Sequence, residues 1–199
     1  MPSPNGSSGP STSRKRIGSA ATGSRYARAP RKLGRVIPDV IKPGLDVLFC
    51  GINPGLVSEA TGHHFARPGN RFWPALHLSG FTPRLFAPAE QRELLELGLG
   101  ITNVVARPSA KADELTIDEL RAGGAALAEK VERYSPKVLA VLGVTVYRAA
   151  FGRKKAQVGP QQDTVGGARV WLLPNPSGLN AHWQLPALAE EFGRLKASL

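Results

Sequence analysis

The sequence predicts a three-layer α/β/α sandwich around a central, mostly parallel sheet. Three observations carry that expectation. Four short runs, "DVLFCGI", "GITNVV", "KVLAVLG" and "ARVWLLP", are rich in Val, Leu and Ile and nearly continuous in their apolarity, as strands covered on both faces must be. The stretches between them repeat apolar residues at helical spacing. Strand-like and helix-like segments alternate along the chain, the order that joins parallel strands through crossovers.

Taken in order, the first run ends in "GINPG", where Gly51, Asn53, Pro54 and Gly55 deliver a polar amide to a point at which the backbone cannot continue a sheet. Residues 88–98 start with Pro88 and stop at Gly98, the signature of a capped surface helix. Thr116 with Glu119 forms a capping-box pattern, and Ile117, Leu120, Leu127, Val131 and Tyr134 recur on one helical face, although Gly123 and Gly124 weaken that helix. A short helix over 144–151 precedes Gly152. The fourth run ends in "NPSGL", a second Asn-Pro followed by a glycine, and Leu185, Leu188, Phe192 and Leu195 mark a last helical stripe. Ligands of such sheets bind outside the carboxyl ends of the strands. Asn53 and Asn175 both follow carboxyl ends, so they are expected beside one crevice, on strands that lie close together.

The 199 residues suffice for one domain and a tail. The net charge of +11 is uneven: residues 1–36 contribute +8 with no acid, leaving +3 for the domain expected over 37–199. The tail is rich in Ser, Gly, Pro and Ala and is expected to be disordered, because it cannot bury enough apolar surface to offset its ordering entropy. Such an arm suits a polyanion, nucleic acid before a membrane since no amphipathic face accompanies the charge; a solubilising leader is the plainer reading. Cys50 is the single cysteine, so neither a disulfide framework nor a thiolate metal cage is available, and no metal or other cofactor is expected. With no membrane-length apolar stretch and no secretion signal, the expected location is intracellular, cytoplasm or nucleoid in a bacterium.

Phosphate loops of the forms G-x-x-x-x-G-K-[ST] and G-x-G-x-x-G are absent, as are the zinc-deaminase pattern and the G-x-S-x-G elbow. A site of amides, backbone N–H groups and aromatics remains. In that setting "GINPG" at 51–55, "HHFARPGNRFW" at 63–73 and "NPSGL" at 175–179 resemble the paired motifs of the mismatch-specific uracil and thymine DNA glycosylases, the second family of the uracil-DNA glycosylase superfamily. The resemblance runs from about Pro43 to the C-terminus. It implies an enzyme that flips a mispaired base out of double-stranded DNA and hydrolyses the base–sugar bond, leaving an abasic site. By the same likeness, Asn53 would hold the attacking water, Phe65 would stack on the extruded base, and Ile52 and Ser58 would line the base pocket. Leu179 would fill the vacated space as a wedge, with Gly178 and Asn180 presented to the unpaired partner base and Asn175 and Ser177 holding the strand. Phe72 and Trp73 read as core.

Several positions depart from the pattern. The first family carries aspartate where Asn53 stands and histidine where Asn175 stands, so this chain lacks a strong base and an imidazole there. Asn180-Ala181 replaces a common Ser-Arg, and Asn103 replaces a common lysine. Asp113, beyond the carboxyl end of the second run, is a second catalytic candidate if its side chain turns inward. His63 and His64 read as rim residues and His182 as a surface residue. No lysine is positioned for Schiff-base chemistry, so a monofunctional, monomeric, cofactor-free glycosylase acting on uracil, and on thymine or etheno-cytosine opposite guanine, is expected. The rival is a non-catalytic module on the same fold that binds mismatched or damaged DNA.

Overall fold

A computed structural model describes residues 36–199. The reading of the basic tail falls on residues outside this span.

Five strands form one sheet in the order β2-β1-β3-β5-β4. They are β1 (Val47–Gly51), β2 (Leu99–Asn103), β3 (Val138–Leu142), β4 (Gly159–Val165) and β5 (Ala168–Leu173). The pairs β1–β2, β1–β3 and β3–β5 are parallel, with Phe49 opposite Ile101 and Ala140, whereas β4 runs antiparallel to β5. The four expected strands are present; β4 is an addition. Its "GPQQDTV" is polar and half-exposed, as an edge strand allows, and so carries no apolar signal.

Alternate side chains of each buried strand enter opposite layers, because strand side chains alternate faces. From β1, Val47 and Phe49 join Phe72 and Leu76 of α2 (Phe72–Leu78) and Leu188, Phe192 and Leu195 of α5 (Leu185–Ala197). Leu48 and Cys50 join Leu120, Leu127 and Val131 of α3 (Ile117–Tyr134) and Val146 and Tyr147 of α4 (Val144–Phe151) on the other face. Phe72 and Trp73 are core residues, as expected. The segment 88–98 is a 3₁₀ helix, Pro88–Leu97, closed by Gly98 in the left-handed conformation at φ 70°. A further short helix, α1 (Leu56–Thr61), follows the first Asn-Pro.

Gly123 and Gly124 do not interrupt α3. A Cβ on Gly124 would lie 2.9 Å from the Ala150 carbonyl oxygen, and one on Gly123 would collide with that of Val104. The glycines exchange helix propensity for close packing of α3 against α4 and the end of β2, while the capping box of Thr116 and Glu119 fixes its start.

From β1 the chain connects to β2 on one side and then crosses to β3 on the other, so the connections reverse direction at the carboxyl ends of β1 and β3. That switch point is where an open α/β sheet forms its crevice. Asn53 and Asn175 do not stand on adjacent strands, because β3 lies between β1 and β5. Two strand spacings, about 10 Å, therefore separate the two strand ends. The gap supplies the width of a site.

Candidate active site

The carboxyl ends of β1, β2, β3 and β5 surround an open hollow of about 130 Å³, lined by Gly51, Ile52, Asn53, Ser58, Phe65, Asn103, Ser109, Lys111, Leu142, Asn175 and Ser177 among others. A cavity of about 150 Å³ accommodates benzene, so a single six-membered ring is the scale of occupant it suits.

Asn53 is half-buried, and both hydrogens of its Nδ2 are engaged: it donates to the Arg107 carbonyl oxygen at 2.9 Å and to Ser109 Oγ at 2.8 Å. Ser109 in turn donates its hydroxyl to the Lys111 carbonyl oxygen at 2.6 Å, so toward Asn53 it can only accept. The amide orientation is thereby fixed, and Oδ1 is the end with no hydrogen-bond partner among the described residues. The Arg107 guanidinium is clamped to Glu119 at 2.7 Å, which ties the anchoring carbonyl to the start of α3. That clamp and the Thr116 N–H hold the pKa of the Glu119 carboxyl at about 2.

Asn175 is turned the other way. Its Oδ1 accepts the Ser177 N–H at 3.0 Å, closing a turn, which leaves Nδ2 as the end without a partner among the described residues, on an amide that lines the hollow. Two asparagines of identical chemistry thus keep different ends unbonded among the described residues, an acceptor on Asn53 and a donor on Asn175.

The third wall is aromatic. Phe65 is half-buried with φ of 55°, a left-handed conformation costing a non-glycine residue about 1–2 kcal/mol. Its ring lies 4.1 Å from that of Phe72, stacked at 25°, so the core backs one face. A Cβ on Gly51 would meet Asn103 Oδ1 at 2.5 Å and the Phe65 ring at 3.2 Å, which is why glycine stands there. Ser58 is buried and its Oγ accepts the Ala66 N–H at 3.2 Å, holding the segment after Phe65.

Asn103, noted in the sequence only for the lysine it replaces, lines the floor. Its Nδ2 lies 3.3 Å from His64 Nδ1. His64 Nε2 is 3.1 Å from the Pro38 carbonyl oxygen, which can only accept, so the hydrogen sits on Nε2 and Nδ1 accepts from Asn103. His64 is not a rim residue. It is 2 % exposed, and burial pushes its pKa below the usual histidine value. Pro38 is held in turn because Val40 pairs with Ile101, and Asp39 bonds Lys130 and Thr102. The apolar periodicity gave no sign of this buried polar chain. The imidazole next to an aromatic was its only trace in the sequence.

Ile52, Asn53, Ser58, Phe65, Asn175 and Ser177 are thus brought to one hollow. Gly178, Leu179 and Asn180 form the adjoining loop, with Leu179 69 % exposed at its apex. Asp113 is not brought in. It is exposed on a 3₁₀ turn, Ala112–Glu114, and the lining from that segment comes from Ser109 to Ala112. The Lys111 carbonyl accepts both the Ser109 hydroxyl and the Glu114 N–H, which closes the turn that carries Asp113. His182 is exposed, as expected.

The family model of the "Uracil DNA glycosylase superfamily" matches residues 38–195, which contain every strand and the whole hollow. The chain belongs to the uracil DNA glycosylase superfamily. A solved relative of the same fold is the solution NMR structure of "a putative Uracil DNA glycosylase from Methanosarcina acetivorans", 17% identical, covering 83% of this chain and 99% of that one with a TM-score of 0.55. Membership of the superfamily assigns DNA glycosylase chemistry and a DNA substrate in general terms. Among the described residues no helix is long and apolar enough to cross a membrane.

Proposed function

We propose that the protein is a mismatch-specific DNA glycosylase that removes uracil from double-stranded DNA by base flipping and leaves an abasic site. The observation that carries this reading is the fixed Asn53 amide, whose oxygen is the unpartnered end at a ring-sized hollow. A flipped pyrimidine stacks on Phe65, a contact worth about 1–3 kcal/mol. The Asn103 oxygen accepts the imide N–H that uracil and thymine carry and that cytosine lacks. Thymine opposite guanine is a further substrate that the family likeness suggests; etheno-cytosine, the other, carries no such N–H and would be held by stacking on Phe65 without the Asn103 bond.

As the bond between C1′ and the base nitrogen breaks, its electron pair leaves with the base and positive charge grows on the sugar. A water hydrogen-bonded to Asn53 Oδ1 attacks C1′. An amide is too weak a base to deprotonate that water, so the proton is lost to solvent only after the C1′–O bond has formed, and departure of the base carries most of the barrier. The free Asn175 Nδ2 supplies a hydrogen bond to the base anion, the type of preorganised stabilisation that raises rates by about 10²–10³ per donor. No carboxylate enters this scheme.

Leu179 enters the base stack in place of the extruded nucleotide, which offsets part of an unstacking cost of a few kcal/mol. One monomer suffices for these contacts. The deciding experiment incubates the protein in excess over duplexes bearing uracil opposite guanine, heats them in alkali and looks for strand scission. Scission only after alkali supports a monofunctional glycosylase. Intact strands, with binding retained, would leave the protein as a mismatch-binding module.

A further inference from the structure

The loop that carries Leu179 is held by one side chain to which the motifs assigned no role. Arg71, immediately before α2, is half-buried, and its guanidinium donates to the carbonyl oxygens of Trp183 at 2.7 Å and Asn180 at 2.9 Å. Longer contacts reach Gly178 at 3.3 Å and Ser177 at 3.4 Å. The Arg71 backbone N–H donates to the Pro176 carbonyl at 2.8 Å. Among the described residues no carboxylate forms an ion pair with Arg71.

Two of these carbonyls precede Leu179 in the chain and two follow it, so a single planar group ties both arms of the loop and leaves its apex exposed. A guanidinium suits this task because its donors form a rigid fork, whereas a lysine offers a point charge on a flexible stem. Close packing adds to the hold: a Cβ on Gly178 would lie 2.6 Å from the Gly69 carbonyl oxygen. The other ties are internal to the loop, such as Asn180 Nδ2 to the Asn175 carbonyl at 3.0 Å. Without Arg71 the loop has far less to fix it to the body of the protein.

We propose that Arg71 is a positioning residue for strand penetration, ordering the Leu179 loop before DNA arrives so that the leucine enters the duplex without first paying the ordering entropy of its own loop. The inference rests on the reading of Leu179 as a wedge. Arg71 touches neither base nor sugar; it acts through the loop.

The test uses the full chain, with Arg71→Ala, Arg71→Lys, Leu179→Ala and the double variant Arg71→Ala/Leu179→Ala, at enzyme excess on a duplex with uracil opposite guanine and on the same uracil in an unpaired bulge. Thermal unfolding checks each fold. Both Arg71 variants should slow excision from the duplex by about 10- to 100-fold, the scale of an Å-level misplacement. The double variant should be no slower than the slower single, because the two residues act in one step. The bulged uracil should recover most of the loss, since little unstacking remains to be done. Arg71→Lys keeps the charge and guards against a fold defect in Arg71→Ala. Additive losses, an equal loss on bulged uracil, or wild-type rates in Arg71→Lys would overturn the proposal. A second readout is independent of cleavage: 2-aminopurine beside the uracil brightens when its neighbour unstacks. Brightening that needs Arg71 without any excision would sink the glycosylase reading and keep the positioning role, whereas brightening indifferent to Arg71 would do the reverse.

Discussion

Asn53 and Asn175 line one hollow and are tied by opposite ends of the same functional group: the first commits both its amide hydrogens to Arg107 and Ser109, the second commits its oxygen to the Ser177 N–H. One is left an acceptor, suited to a water hydrogen, and the other a donor, suited to a departing anion. Both groups are neutral dipoles held in a fixed direction by these bonds.

The anchoring of Asn53 makes Ser109 a sensitive position. Ser109→Ala removes one of two bonds to the amide, worth about 1 kcal/mol, and should slow single-turnover excision about 5- to 10-fold with little change in duplex affinity. Asn53→Ala should cost about 100-fold or more. Asp113→Ala, by contrast, should stay within about twofold of wild type, because its side chain is exposed away from the lining. A large loss there would return a carboxylate to the chemistry.

Gly51→Ala tests the close approach at the floor. The new methyl would meet Asn103 Oδ1 at 2.5 Å and the Phe65 ring at 3.2 Å. Overpacking of this kind costs about 1–3 kcal/mol, which lowers the melting temperature by about 2–10 °C in a domain of this size. The melt should remain cooperative while uracil excision is lost, because the two walls of the base hollow are pushed apart.

His64 should make stability depend on pH. Burial lowers its pKa below 6.5, and the groups that face it electrostatically are Asp39, Lys130 and His63. Between the lowered folded value and about 6.5 the unfolded chain binds more protons than the folded one, so stability rises with pH through that window, is fully present above it and is lost as pH falls. Protonation would also place a hydrogen on Nδ1 against the Asn103 amide hydrogens. Urea titrations from pH 5 to 8 should show a slope in the wild type that His64→Gln lacks, and excision should decline over the same window. Identical slopes would mean that His64 does not titrate there.

The basic tail should govern salt dependence. Removing residues 1–36 takes away +8 of charge, and every phosphate that the shortened chain leaves unneutralised should reduce the slope of log affinity against log salt by about 0.9. Binding should weaken at physiological salt, with excision at low salt preserved. An unchanged slope would show that the tail neutralises no phosphates.

By itself the sequence determined the layers and the ends of the strands. Continuous apolarity in "VLFCG" and "VLAVL" can only be buried on both faces, and an asparagine with proline after such a run must stop it, so the fold class and the region of the site were legible. The edge strand β4 was not, because a half-exposed strand carries no apolar signature. Only the tertiary structure decided which amide ends stay unbonded, that His64 is buried beside the hollow, that Asp113 stays outside its lining and that Arg71 holds the loop of Leu179. Each depends on hydrogen bonds between residues far apart in the chain, as Arg71 is from Trp183. Local sequence records which groups a residue carries, while the partner that fixes their direction is chosen by packing.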